Sequence, residues 1–225
     1  MKEFDWKDNI ENKDEKKKIG AKIAKRVKDG DIIGFGSGST SYMTILEINK
    51  RVKQEGLKIK AIPTSKIIEE LCDELNIEKS SIKEEKPDWC FDGADEIDSS
   101  KWMIKGMGAA LYREKLNLKN SKENYILVDS SKFVERLGEA HPVPVECDVE
   151  KIETVKNALL KLGARSVDVK MSKINENDVF ITDNGKAILH SWFDKIESDY
   201  EDKINEIDGV LDNGLFIGYE YEIIS

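Results

Sequence analysis

Four carboxylates crowd one short stretch of this chain. Asp92, Asp95, Glu96 and Asp98 follow directly on an apolar run, Trp89-Cys90-Phe91. Like charges this close disfavour one another's ionisation, so a chain built for stability alone would spread them out. Such a cluster is either a solvated face or surrounds something that needs negative charge and proton acceptors. A second stretch, Gly34-Phe35-Gly36-Ser37-Gly38-Ser39-Thr40, combines glycines, which let the backbone turn and approach a ligand, with three hydroxyl donors. Between a strand and a helix it makes a phosphate cradle, because the helix start offers unpaired N–H groups and a positive dipole end. It is no Walker loop, since no Lys follows its last glycine, and Ser39 breaks the dinucleotide pattern. A third stretch runs from Lys105 through Gly106, Met107 and Gly108 to Arg113-Glu114-Lys115. As a bare charge run on a helix it reads as solvated. Turned back over the same edge, Lys105 and Glu114 would face the acidic cluster.

The elements that must position these residues alternate through the first half. Ile19, Ile23 and Val27, four apart, predict an amphipathic helix over 14–30 closed by Gly30. A strand over 31–36, a helix over 39–56, a strand over 57–64 and a helix over 65–75 come next. Then come a third strand over 87–92, a helix over 108–118 and a fourth strand over 124–129. Thr64 and Ser65 repeat the strand-to-helix arrangement and read as an N-cap; Asp129-Ser130-Ser131-Lys132 closes the fourth strand. Repeated units of this length imply a parallel sheet covered on both faces, and ligands bind such sheets at the carboxyl ends of the strands.

The second half has another texture. The prolines of His141-Pro142-Val143-Pro144 exclude a helix and mark a crossing into another unit. A helix over 149–163 comes next, then two β-rich runs joined by Asn184-Gly185, a strong hairpin signal. Together they predict a small α+β domain over 138–213, with 1–137 and 214–225 forming the larger one. The last apolar segment, 209–225, would return to the first sheet.

Composition sets the limits. Of 225 residues, 39% are hydrophobic and 36% charged, so the chain is folded and soluble. A net charge of −9 argues against nucleic acid or an anionic membrane as partner. The opening through Lys18 has no apolar core and does not read as a secretory signal, and no run suits a membrane span. Cys72, Cys90 and Cys147 are odd in number and widely spaced, which points to the cytoplasm and, with only His141 and His190 beside them, away from zinc.

The stretches 34–40, 92–98, 105–115, 129–132, 142–147 and 181–185, in this order and spacing, resemble the ribose-5-phosphate isomerase A family from about Lys16 to Phe216. The resemblance implies a Rossmann-like parallel-sheet domain with a smaller ferredoxin-like α+β lid. It implies a cofactor-independent, metal-free, cytoplasmic homodimer or homotetramer that interconverts D-ribose 5-phosphate and D-ribulose 5-phosphate. Carried over by position, Ser37, Gly38, Ser39 and Thr40 would hold the phosphate, helped by Lys16 or Lys17. Asp92, Gly93, Ala94, Asp95 and Lys105 through Gly108 would line the sugar, and Lys132 would close the site. Glu114 would be the base that carries a proton between C1 and C2 of an enediolate, its pKa raised by partial burial. Lys105 and the N–H groups around Gly106 and Gly108 would stabilise the enediolate oxygens. Asp95 paired with Lys105 would open the sugar ring, and Asp92 would orient hydroxyls. Glu96 and Asp98 read as solvated neighbours.

The chain departs from the family pattern at Met107, where glycine is usual, and at Tyr112 and Ser37, where threonine is usual. Lys186 and His190 stand where Asn and Asp are common, and the chain stops at Ser225 without a glycine-containing final strand. Other readings are a related enzyme, such as an aminosugar-phosphate deaminase, or a sugar-phosphate-binding sensor or inactive relative of the same fold. The deaminase usually needs a histidine, and neither His141 nor His190 falls in the strand-end clusters. The sensor should carry a DNA-binding module, whereas the residues before the phosphate loop read as one helix.

Overall fold

A computed structural model describes residues 10–175 and 177–225. The first half of the opening segment, including part of the stretch read against a secretory signal, lies outside them. The chain runs α1 (Lys13–Ala24), β1 (Ile32–Phe35), α2 (Ser39–Glu55), β2 (Lys60–Pro63), α3 (Lys66–Leu75), β3 (Glu78–Lys79) and β4 (Trp89–Asp92). It continues with β5 (Glu96–Ile97), β6 (Met103–Ile104), α4 (Leu111–Asn120), β7 (Glu123–Leu127), β8 (Val143–Cys147) and α5 (Ile152–Leu162). The last elements are β9 (Ala164–Val169), β10 (Ala187–Phe193), α6 (Tyr200–Asn205), β11 (Val210–Asn213), β12 (Leu215–Phe216) and β13 (Glu222–Ile224). No helix among the described residues is long and apolar enough to cross a membrane.

Two compact units emerge. One, the parallel-sheet unit, takes in the described residues up to Gly93, together with 113–130 and 220–225; the other takes 94–112 and 131–219. The expected small domain, 138–213, falls inside the second unit, which also gains 94–112 because β6 pairs with β12.

In the parallel-sheet unit the order is β13-β7-β4-β1-β2-β3, every neighbouring pair parallel. The central strands are short and apolar because both faces are covered. Ile33, Phe35, Trp89, Phe91 and Leu127 are buried in one core with Ile45, Ile48, Ile68 and Leu71 from the helices. Burying such a side chain stabilises by about 1.5–3 kcal/mol, so β1 and β4 are firm supports for the loops at their carboxyl ends. The chain builds outward from β1 to β3, then returns to place β4 on the other side of β1. That reversal makes the carboxyl ends of β1 and β4 a topological switch point, where open α/β sheets hold ligands.

The second unit holds a four-stranded antiparallel sheet, β11-β8-β10-β9, and a small sheet, β12-β6-β5. The chain order β8-α5-β9-β10-α6-β11, with that strand arrangement, is the ferredoxin-like split βαβ topology. Val143, Val145, Leu189 and Phe193 pack there with Val155, Leu159 and Ile204 of the helices.

Several expectations change. The first helix stops at Ala24, although Val27 beyond it is buried. A two-residue strand, β3, precedes the strand expected third. The Asn184-Gly185 turn forms: Gly185 N–H donates to the Thr182 carbonyl, and Thr182 N–H donates to the Lys186 carbonyl. Yet among the described residues the run directly before it, 178–182, forms no strand. Phe180 N–H bonds the Lys170 carbonyl and Val179 bridges Met171, so that run pairs with the segment after β9. β10 takes its partners from β8 and β9 instead. Of the last segment only β13 returns to the parallel sheet; β11 pairs with β8 and β12 with β6.

Candidate active site

The parallel-sheet unit carries the glycine-rich stretch expected to cradle a phosphate. Gly38 is the N-cap of α2 at φ 92°, with no side-chain cap bond, and the first turn of the helix carries no acid. Its N–H groups and dipole end are therefore not neutralised by acids of its own first turn. Lys16, half-buried on α1, donates to Ser39 Oγ at 3.0 Å, while Lys17 is exposed. The lysine left open by spacing is thus Lys16 at this loop.

Asp92 ties the loop to the next strand. Its Oδ1 accepts from Ser37 N–H at 3.1 Å, Gly93 N–H at 2.8 Å and Ser41 Oγ at 3.4 Å, and the residue is 6% exposed. Gly36 is obligatory here, because a Cβ would overlap the Asp92 carboxylate and lie 2.5 Å from the Phe91 carbonyl oxygen. Ser65 occupies the N-cap position of α3 but its side chain caps nothing. It accepts instead from Ser37 Oγ at 2.8 Å, and Thr64 Oγ1 lies 2.8 Å from the same hydroxyl while donating to the Phe35 carbonyl. The N-cap reading of Thr64 and Ser65 gives way to a hydroxyl cluster that braces the phosphate loop. The signal was present in the sequence, as a second hydroxyl pair at the neighbouring strand end.

Glu114 stands in the first turn of α4 and is 7% exposed, with Lys115 at 1%. The solvated reading of this charge run fails because α4 packs its polar stripe inward. Asn117, one turn on, donates to the Ile62 carbonyl at 2.8 Å, and Arg113 bonds Glu69 of α3 at 2.7 Å. α4 connects the parallel neighbours β4 and β7, so it must run against them. Its first turn therefore lies at the carboxyl edge of the sheet, the edge of the phosphate loop.

The other unit carries Asp95 and the turn at 105–109. Asp95 Oδ2 accepts Met107 N–H at 3.1 Å, and Lys170 Nζ donates to the Met107 carbonyl at 3.0 Å. Gly106 turns the chain at φ 97°, where a Cβ would lie 2.6 Å from that of Leu111. Ala109 closes the turn in the left-handed region at φ 62°, its N–H bonded to the Gly106 carbonyl. Lys105 is 3% exposed, its backbone N–H on the Gly214 carbonyl and its Nζ 5.6 Å from the Phe216 ring centre. Ala94 is buried, Gly108 exposed, and Lys132 half-buried at the end of a separate 3-10 turn, Ser130–Lys132.

Glu96 corrects an expectation. It is 1% exposed, and its carboxylate accepts N–H groups from Gly138 at 2.7 Å and from Ala140 and His141 at 2.6 Å each. A carboxylate gathered by three amides is a structural clamp, not a solvated neighbour. Asp98 is half-buried and holds the turn through Ser100 and Trp102 N–H. Two motifs also meet: Glu146, fully buried, accepts from Thr182 Oγ1 at 2.6 Å and Asn184 Nδ2 at 2.9 Å. Among the described residues no three His, Cys, Asp or Glu side chains are grouped to hold a metal ion. Lys170 had no sequence signal at all.

Known proteins share this architecture. The family model for ribose 5-phosphate isomerase A (phosphoriboisomerase A) matches residues 60–225. Ribose-5-phosphate isomerase A 1 of Oceanobacillus iheyensis is 40% identical over 214 residues, 93% of this chain and 92% of that protein. The solved ribose 5-phosphate isomerase A of Methanocaldococcus jannaschii superposes with a TM-score of 0.91 at 34% identity, over 96% of each chain. A D-ribose-5-phosphate isomerase solved with phospho-erythronic acid superposes with a TM-score of 0.86 at 33% identity, over 95% of this chain and 96% of its own. With the family model matching residues 60–225 and relatives 34–40% identical over more than nine-tenths of their length and of this chain, the chain belongs to the ribose 5-phosphate isomerase A family.

Proposed function

We propose that this protein interconverts D-ribose 5-phosphate and D-ribulose 5-phosphate, and that Glu114 carries the proton. The observation that supports the base is its placement: a buried carboxylate in the first turn of α4, at the edge where the uncapped α2 also begins. The phosphate sits at Ser37–Thr40, drawn by the N–H groups of α2 and by Lys16. Asp95 and Lys105 open the sugar ring by moving a proton between the ring oxygen and the C1 hydroxyl, while Asp92 and Gly93–Ala94 hold hydroxyls. Glu114 then takes the C2 proton, and the electron pair left behind forms the C1–C2 double bond as the C1 carbonyl becomes an enediolate oxygen. Lys105 and the amides of Gly106–Gly108 stabilise that oxygen. Glu114 returns the proton to C1, and a proton shift between the two oxygens leaves the C2 ketone. The steps sum to no net oxidation. Lys132 closes the site.

The cytoplasm as compartment is part of this proposal, supported by Cys72, Cys90 and Cys147 being buried free thiols. A homodimer or homotetramer is part of it too, and light scattering decides between them.

The test is the rate of ribulose 5-phosphate formation from ribose 5-phosphate, in EDTA without added cofactor, for wild type beside Glu114→Gln. The variant keeps shape but cannot act as base, and is expected to lose about 10²–10⁴ in kcat. A folded variant with near-normal turnover would remove Glu114 from the role. An inactive, folded wild type would sink the isomerase reading.

A further inference from the structure

The peptide units around Met107 are held from both sides. Asp95 takes the Met107 N–H, and Lys170, 63 residues on and just beyond β9, donates to the Met107 carbonyl. That carbonyl belongs to the same peptide as the Gly108 N–H, which the proposed function places at the enediolate. A cation hydrogen-bonded to a peptide oxygen draws electron density from the amide and makes its N–H a stronger donor, as in any polarised hydrogen-bond chain. The contact also resists reorientation of a turn that carries left-handed Gly106 and Ala109. Lys170 is itself steered: its Nζ lies 5.4 Å from the Phe180 ring centre, and its backbone N–H bonds the Ile188 carbonyl on β10.

We propose that Lys170 is a positioning residue of the isomerase: its ammonium holds the Met107 carbonyl, fixing the direction and strengthening the polarity of the Gly108 N–H that meets the enediolate. The inference rests on the functional reading above. It assigns to the ferredoxin-like unit a part in the chemistry. The effect falls on the transition state, where charge develops on oxygen, and leaves phosphate binding alone.

The experiment compares wild type, Lys170→Met and Lys170→Arg in kcat, KM, inhibition by inorganic phosphate, and affinity for phospho-erythronic acid, whose carboxylate imitates the two enediolate oxygens. Lys170→Met keeps the aliphatic stem and loses the charge. Its kcat is expected to fall about 10-fold, less than the loss of a direct oxyanion donor. Phospho-erythronic acid should weaken by a similar factor, with KM and phosphate inhibition within about 2-fold. Lys170→Arg should restore most of the kcat. An unchanged kcat in Lys170→Met, an Arg variant no better than Met, or a parallel loss of phosphate affinity would each overturn the inference. Should Lys170→Met not fold, Lys170→Gln, neutral and still polar, decides by the same kcat criterion. A wild type inactive on ribose 5-phosphate would bring down the functional reading and this inference together; an active one with an indifferent Lys170 brings down the inference alone.

Discussion

The phosphate loop at 36–40 and the turn at 105–109 are both glycine-rich, yet they are held in opposite ways. The loop is braced by its own backbone, by hydroxyls of the neighbouring strand end and by Asp92, all within one buried parallel sheet. The turn has one backbone bond of its own and is held by two charged side chains, Asp95 and Lys170, while keeping an alanine in the left-handed region at φ 62°. A conformation of that kind costs about 1–2 kcal/mol for a residue with a Cβ. The proposed function places a phosphate at the loop, and a phosphate needs fixed donors for a charge that the reaction leaves unchanged. The proposed function places an enediolate at the turn, where donors must have strength at one moment, and side-chain charges suit that.

Breaking the loop should therefore cost more stability than breaking the turn. The largest effect is expected for Gly36→Ala, whose methyl has no space beside Asp92 and the Phe91 carbonyl. A loss of about 2–4 kcal/mol and a raised KM should result, read by denaturant unfolding and steady-state kinetics. Unchanged stability would mean the loop is softer than its packing implies.

The second test addresses the unit that carries the turn. Burial, aided by the Lys170 charge and opposed by Asp168, lowers His190 to about 4 from an ordinary 6.5. Between those values the unfolded chain binds a proton that the folded one refuses. This contribution to stability is thus full above pH 6.5 and is lost as pH falls toward 4. Allowing for partial solvent access to the ring, the loss is about 1–2 kcal/mol. Thermal melts at pH 7 and pH 5 should show a smaller acid shift in His190→Gln than in wild type; equal shifts would place the acid sensitivity elsewhere.

The smallest effect is expected at Ala109. Ala109→Gly relieves the positive φ but adds freedom to the unfolded chain, so stability should change by less than about 1 kcal/mol. The informative readout is kcat. A fall with unchanged KM would show that the turn's rigidity serves the chemistry, and no change would show that Asp95 and Lys170 suffice.

Much of the parallel sheet was legible because its signals are local. Ile33, Phe35 and Phe91 mark buried strands, and Gly38-Ser39-Thr40 marks a helix start wherever the chain goes next. Glu146 illustrates the opposite case. Its partners, Thr182 and Asn184, lie beyond an intervening helix and strand, so the Asn184-Gly185 turn looked like a hairpin signal and serves as well to hold a buried acid. Glu96 was misread for the same reason: the three amides that gather it belong to Gly138, Ala140 and His141.

By itself the sequence determined which residue types stand at each strand end, that α2 begins without an acid in its first turn, and which carboxylate comes after Arg113. These depend on neighbours within a turn or two, where propensity and capping act. Only the tertiary structure decided that Ser65 braces Ser37, that Lys16 and not Lys17 meets Ser39, that Glu96 is buried, and that Lys170 reaches Met107. Each joins groups far apart in the chain, and such a hydrogen bond forms only when topology has already brought both ends together and burial has made leaving either unpaired costly.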